Sequence, residues 1–248
     1  MLSTDKAWRK WGAEDPYFAV LADDRFATAR IGETGDDFFA SGRGFVTHVL
    51  RECERYFGAL PRGRALDHGC GVGRLTLPLA SQYAEVVALD VSPAMLAEAA
   101  ANATRAGAAN ITFAEADDDL SRASGTYDFV NSHLVLQHIP VRRGLVILDR
   151  LIDLVAPGGA FHVNVSLRTD RLGWRWLYWA SANVPGVKIW QNICARRAWN
   201  APAMQMNHYP LGRIVARLAA KGVTDLHITS QPFPRFTVSS LIGRRPPR

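Results

Sequence analysis

The run Asp67-His68-Gly69-Cys70-Gly71-Val72-Gly73-Arg74 is where residue type and spacing first point to chemistry in this 248-residue chain. Three alternating glycines let the backbone turn sharply and let a ligand lie directly on the main chain. A helix starting there presents free N–H groups and a partial positive charge to an anionic group. Dinucleotide sites follow GxGxxG, with the third glycine three places after the second. That place is Arg74 here, and a carboxylate at Asp67 would sit badly beside a pyrophosphate. The turn suits a ligand end with one small carboxylate and an ammonium group; the alternative is a glycine turn that merely packs strand on helix.

Asp90 follows Gly69 by 21 residues and ends a second apolar run, EVVALD. A carboxylate at that point accepts from both hydroxyls of a ribose. Its alternative role is to cap the Ser92-Pro93 turn. Asp117 opens the acidic triplet of EADDDL and can accept from the exocyclic amine of a base, with the adjacent Asp118 and Asp119 as alternatives. Met95 either covers a purine face or belongs to the core. Proton acceptors come from His138 in LQHIP, then His133, then His208-Tyr209. His138 alternatively orients the start of the helix at Pro140. Cys53, Cys70 and Cys194 have no CxxC or Cys/His ligand spacing, so no metal site is expected, and a reduced cytosol is the cheaper reading.

These residues need a scaffold that brings strand ends together. Residues 15–60 read as helical, with Phe38, Phe39, Phe45, Val46, Val49, Leu50 and Cys53 near spacings of three and four. Strands are expected at 64–68, 85–90, 111–115, 127–132 and 160–166. Helices are expected at 73–83, from Ser92-Pro93 to Gly107, and from Pro140 to about residue 155. Pro78 falls inside the first of these and is tolerated near a helix start. Pro210 begins a further helix ending at Gly222, and closing strands follow at 223–229 and 235–242. Alternation of strand and helix implies right-handed crossovers and a parallel sheet. The short turn SQPFPR forces the last two strands to pair antiparallel. The expected fold is α/β: a doubly wound, seven-stranded, mostly parallel sheet with an antiparallel last strand. Residues 1–60 form an N-terminal helical cap, 61–248 the main domain, and 167–209 a helical insertion after strand five.

At 48% hydrophobic and 21% charged the composition is that of a globular chain. No run of 18 uncharged apolar residues occurs, and the first residues lack the apolar core of a signal peptide, so a cytoplasmic protein is expected. The formal charge of +6 is concentrated in residues 166–200, with six basic and one acidic side chain, and in the last five residues, with three arginines.

DHGCGVGR, ALDVSPAML, FAEADDDL, YDFVNSHLVLQHIP and LVAPGGAFHV, in that order and spacing, resemble the successive motifs of class I S-adenosylmethionine-dependent methyltransferases of the Rossmann-like, small-molecule type. The resemblance covers about residues 60–165. It implies that Asp67, Gly69 and Gly71 hold the amino-acid end of S-adenosyl-L-methionine, with Cys70 and Gly73 in the same loop. It further implies that Asp90, with Val91, binds the ribose, that Met95 packs on adenine, and that Asp117 or Asp118 accepts from its amine. Asn131 and Ser132 would line the pocket beside the methionyl group. A segment like DPYF…FFASGR closes over the cofactor in many relatives, which makes Tyr17 and Arg43 candidates near the sulfonium and carboxylate; Arg43 is otherwise a solvated surface residue.

Methyl transfer from a sulfonium is a direct displacement, so a base is needed only for a protonated nucleophile. The NPPY-like sequence of amine-methylating relatives is replaced here by Asn131-Ser132-His133-Leu134. The expected enzyme therefore methylates a small molecule at oxygen rather than nitrogen and releases S-adenosyl-L-homocysteine. Two rivals stand beside it: a methyltransferase with an RNA or protein acceptor, and a non-catalytic protein that binds the cofactor. The insertion carries Trp174, Trp176, Trp179, Trp190 and Trp199 beside Tyr178 and several arginines. It reads as an aromatic substrate lid, as a peripheral membrane or partner surface, or as a helical cap packed on the sheet. Nucleic acid is disfavoured, because the basic residues form no stripe and no RNA module is appended.

Overall fold

Neighbouring residues in the central strands face opposite cores, which is what a strand covered on both sides requires. Leu66, Val87, Val130 and Phe161 pack into one cluster, while Ala65, Val86, Phe129 and Ala160 pack into another. The computed structural model describes residues 4–167, 176, 180, 184, 186–194, 204–232 and 237–247. Within them seven strands form one sheet: β1 (Arg64–His68), β2 (Glu85–Asp90), β3 (Ile111–Glu115), β4 (Tyr127–Ser132), β5 (Val155–Leu167), β6 (Asp225–Pro232) and β7 (Thr237–Arg244). Their order is β3-β2-β1-β4-β5-β7-β6. The chain winds outward from β1 through β2 and β3, then returns to place β4 on the other side of β1. A crevice opens at that reversal, beyond the carboxyl ends of the two strands. β7 runs antiparallel to both β5 and β6, as the short closing turn requires.

The helices are α1 (Thr4–Glu14), α2 (Pro16–Leu21), α3 (Ile31–Phe57), α4 (Thr76–Ala80), α5 (Pro93–Arg105), α6 (Val141–Asp153), α7 (Val187–Cys194) and α8 (Leu211–Ala220). One face of α3 buries Phe38, Val46, Val49, Leu50, Cys53 and Phe57. Gly42 sits on that same face: a Cβ there would lie 2.2 Å from the Arg74 carbonyl oxygen, so glycine lets α3 cross directly over the loop after β1. A third cluster joins Trp11 of α1, Tyr17 and Phe18 of α2 and Phe38 of α3 to Val72 and Met95. It fastens the leading helices over the carboxyl edge of the sheet.

Several boundaries differ from the sequence reading. The helix expected at 73–83 is only the five-residue α4. The glycine turn consumes its first residues, and Pro78 falls in the first turn, where a missing N–H leaves no intrahelical bond unmade. The leading stretch is broken by 3-10 turns at Asp24–Phe26 and Thr28–Arg30, and α1 precedes the start expected at Asp15. β5 begins at Val155, so Pro157-Gly158-Gly159 lies within the strand, where its register with β4 shifts. Of the insertion's residues, Trp176 and Trp190 are exposed; Trp174, Tyr178, Trp179, Trp199 and Arg168, Arg171, Arg175, Arg196 and Arg197 lie outside the described residues. Among the described residues no helix is long and apolar enough to cross a membrane.

The packing of α6 gives a direct check. Leu151 is fully buried and Val146 is 46% exposed on the same helix. Leu151→Ala is expected to lower stability by about 2–5 kcal/mol in chemical denaturation, and Val146→Ala by no more than about 0.5 kcal/mol.

Candidate functional site

Asp67 ends β1 with its carboxylate wholly inside the protein. One oxygen accepts from Thr76 Oγ1 at 2.7 Å and the other from Asn131 Nδ2 at 2.8 Å. The Asn131 carbonyl in turn faces His162 Nδ1 at 2.8 Å, and His162 Nε2 meets Ser240 Oγ at 2.8 Å. A single polar chain thus crosses β1, β4, β5 and β7 at the level where the crevice opens. Burial raises the Asp67 carboxyl above its ordinary range, and the Thr76 and Asn131 bonds oppose that rise. Burial also holds His162 neutral, down at about 3.

The loop after β1 is tied to β2. Gly69 and Cys70 donate their N–H groups to the Leu89 carbonyl at 2.7 and 3.0 Å. Gly71, at φ +53°, turns its N–H onto Asp90 Oδ2 at 2.9 Å, while Asp90 Oδ1 accepts from the Ser92 N–H at 2.9 Å. The two sequence roles for Asp90 are therefore compatible: each oxygen spends one lone pair on the backbone and keeps another for a ligand hydroxyl. Burial pushes this carboxyl up to about 6, against those backbone bonds. Ser92 Oγ caps α5 through the Met95 N–H at 3.4 Å, and the Met95 side chain is buried beside the cleft.

Asp67, Gly69, Cys70, Gly71, Asp90 and Val91 line one cleft of about 990 Å³, mouth included. Met95, Asp117, Asp118, His133 and His138 line it too. Asp117 spends its carboxylate locally, on the Ser121 N–H at 2.9 Å and the Ser121 hydroxyl, which lowers it below the usual carboxylate range. Asp118 faces Arg143 Nε at 2.7 Å, and Arg143 reaches on to Asp5 of α1 at 2.7 and 3.0 Å. Helix α1 is the roof. Arg9 donates to the Val91 carbonyl at 3.1 Å and to Glu115 at 2.5 Å, and the Trp8 ring lies 4.7 Å from that of His138.

Seven sequence-assigned residues do not line this cleft; among them His208 Nδ1 meets Ser166 Oγ at 2.9 Å and the Tyr209 hydroxyl donates to the Ile139 carbonyl at 3.0 Å. Arg43 is exposed on α3. The Tyr17 hydroxyl donates to Glu98 at 2.7 Å and lies 3.1 Å from Asn102 Oδ1, which fixes α2 to α5 rather than meeting a ligand. Gly73 packs on Ala99 of α5. Asn131 and Ser132 are buried beneath the cleft, where Asn131 holds Asp67 and Ser132 Oγ meets His68 Nδ1 at 3.0 Å. Two cations among the described residues do reach the cleft, Arg143 and the deeply buried Arg74, 5% exposed; neither was assigned from the sequence. Arg74 is the one inside the glycine turn. Its place in the glycine turn was the available signal; its inward direction is set by α3 crossing above it at Gly42. Thr4, Asp5 and Trp8 were also missed, because the helical reading began at Asp15.

The two histidines occupy opposite flanks. His138, on the α1 side, presents Nδ1 to the Gln205 carbonyl at 2.7 Å, and burial holds it down at about 4. His133, on the α3 side, lies 4.0 Å ring to ring from Phe45, with Nδ1 unpartnered; burial, His162 and Arg74 hold it well below the ordinary histidine range. Both are neutral at pH 7. Leu134, between them in sequence, adopts φ +60°, a strained conformation at the rim of the cleft.

Residues 65–159 match the family described as a methyltransferase domain. Over 135 residues the chain is 34% identical to trans-aconitate 2-methyltransferase of Deinococcus radiodurans, covering 54% of this chain and 49% of that protein. It is 36% identical over 77 residues to a 23S rRNA (uracil(1939)-C(5))-methyltransferase of Klebsiella pneumoniae, covering 31% of this chain and 18% of that one. The chain thus spans about half the length, or less, of these curated relatives. Among solved structures, magnesium protoporphyrin IX methyltransferase from Synechocystis PCC 6803 with bound SAH has the same fold, with a TM-score of 0.66, 20% identity and 97% of each chain covered. Residues 65–159 thus match a methyltransferase domain, and the strand order gives the chain the fold of that solved structure.

Proposed function

We propose that the protein transfers a methyl group from S-adenosylmethionine to an oxygen of a small molecule. The observation that carries this reading is Asp90, whose carboxylate spans the Gly71 turn and the Ser92 turn and still faces the cleft. Asp90 would take the ribose hydroxyls, the Gly69–Gly71 backbone the amino-acid end, and Met95 the adenine face. Asp117 meets the base with whatever acceptor capacity its Ser121 bonds leave. S-adenosylmethionine supplies the methyl on a sulfonium; the residues of this chain bind, align and exclude water. The trans-aconitate and magnesium protoporphyrin relatives support a small acceptor.

Oxygen is favoured over nitrogen by what the strand-four residues do. Asn131 and Ser132, the polar groups that would orient an amine, are spent on Asp67 and His68. An RNA or protein acceptor would have to use the basic insertion, most of which lies outside the described residues.

Titration of the purified protein with S-adenosylmethionine, and separately with NAD, tests the reading: micromolar affinity for the first and none for the second is expected. Binding of neither by folded protein would leave only the fold. Asp90 must be ionised to accept two hydroxyls. Its carboxyl titrates at about 6, so affinity is expected to hold at neutral pH and to fall by up to about tenfold per pH unit below that point. Asp90→Asn should bind weakly with a flat pH response; a wild-type affinity unchanged between pH 7 and 5 would remove Asp90 from the site. His138→Ala is expected to reduce turnover less than about tenfold, since a true general base contributes about 100- to 10,000-fold. A loss of that larger size would make His138 the base.

A further inference from the structure

Two cations line the cofactor cleft, and they are treated differently. Arg143 is paired with Asp5 and Asp118. Arg74 is more deeply buried, at 5% exposure, and has no carboxylate hydrogen-bond partner among the described residues. One guanidinium nitrogen donates to Ser41 Oγ at 3.2 Å, and Nε has no partner. The acid that acts on it is the more distant Asp67, whose oxygens are already taken by Thr76 and Asn131. Burying a guanidinium without an anion against it is costly, so the arrangement is complete only with an anionic group from outside. Burial brings this arginine down to about 10, an unusually low value for a guanidinium.

Arg74 also borders a second hollow, between α3 and the Asp24–Phe26 turn. Its walls include Leu21, Phe26 and Phe45. At its rim Arg25 is neutralised by Asp23 at 2.7 Å. Among the described residues, only Arg74 and His133 line both the cofactor cleft and this hollow. Asp37 and Ser41 complete the lining, so a mixed wall with three apolar side chains, two of them aromatic, leads to a buried guanidinium without a carboxylate hydrogen-bond partner at the seam.

We propose that this hollow receives the methyl acceptor, and that the acceptor is a flat organic acid whose carboxylate is held by Arg74. The proposal rests on the methyl-transfer reading and adds the acceptor's class and its side of approach. The carboxylate on Arg74 has one other possible source, the amino-acid end of the cofactor, and the test separates the two.

The test uses benzoate and its neutral counterpart benzamide, each titrated into protein saturated with S-adenosylhomocysteine. Benzoate is expected to bind at least about tenfold more tightly than benzamide, the discrimination of a charge-assisted hydrogen bond. In Arg74→Gln the two should come within about threefold of each other, with S-adenosylhomocysteine affinity changed no more than that. Leu21→Trp fills the hollow without touching Arg74 and should weaken benzoate by at least about tenfold, so the proposal stays testable if Arg74→Gln fails to fold. Equal binding of benzoate and benzamide overturns the proposal, as does benzoate binding that Leu21→Trp leaves unchanged. A loss of S-adenosylhomocysteine affinity in folded Arg74→Gln also overturns it, by assigning the guanidinium to the cofactor. Failure of wild-type protein to bind S-adenosylhomocysteine at all would instead overturn the methyl-transfer reading beneath it.

Discussion

A carboxylate buried in the middle of the sheet, Asp67, is the constraint on which the rest of the site depends. It lies at the strand where the winding direction reverses, and its two oxygens are satisfied from opposite sides by Thr76 and Asn131. Removing either donor would leave a buried charge short of a hydrogen bond, so the start of α4 and the end of β4 are fixed relative to β1. Asn131 passes the constraint to His162, and His162 to Ser240 on the antiparallel strand β7. The polar chain gives four strands a common level at the edge where the crevice opens. The glycine loop above that level is held in turn by the Leu89 carbonyl and by Asp90.

Much of this was legible in the sequence, because strand ends are where the continuous apolar runs stop and chemistry begins. Asp67, Asp90 and the glycines between them sit at such ends, and the antiparallel closing strand followed from a turn too short for a crossover. What the sequence does not encode locally is which way a side chain points once another element passes over it. Arg43 and Arg74 illustrate this. Both are arginines near a glycine, yet α3 presents Arg43 to solvent, while the same helix, crossing close at Gly42, covers Arg74. Tyr17, Asn131 and Ser132 were expected at the cleft; Asn131 and Ser132 instead brace Asp67 and His68, which line it, and Tyr17 ties α2 to α5. The same physics explains why Asp117 is only partly free: its side chain closes its own turn onto Ser121.

The electrostatics of the cleft divide along its two flanks. On the α1 side, charges are compensated: Arg143 by two aspartates, Arg9 by Glu115. On the α3 side lie a guanidinium without a carboxylate partner and an imidazole without a hydrogen bond at Nδ1. A polar deficit of this kind is one that a bound anion or donor can offset.

The roof itself sets a clock. Asp5 and Arg143 are each about a third exposed, and Arg9 and Glu115 about half. Pairs of this kind hold for about 0–1 kcal/mol each and are screened by salt. Helix α1 is thus held at its charged edge by pairs that salt weakens, and on its buried face by Trp11 in the third cluster. On the proposed methyl-transfer reading the spent cofactor leaves beneath that helix, and its residence time, with its sensitivity to ionic strength, is set by residues 4–14 rather than by the residues that touch the reacting atoms.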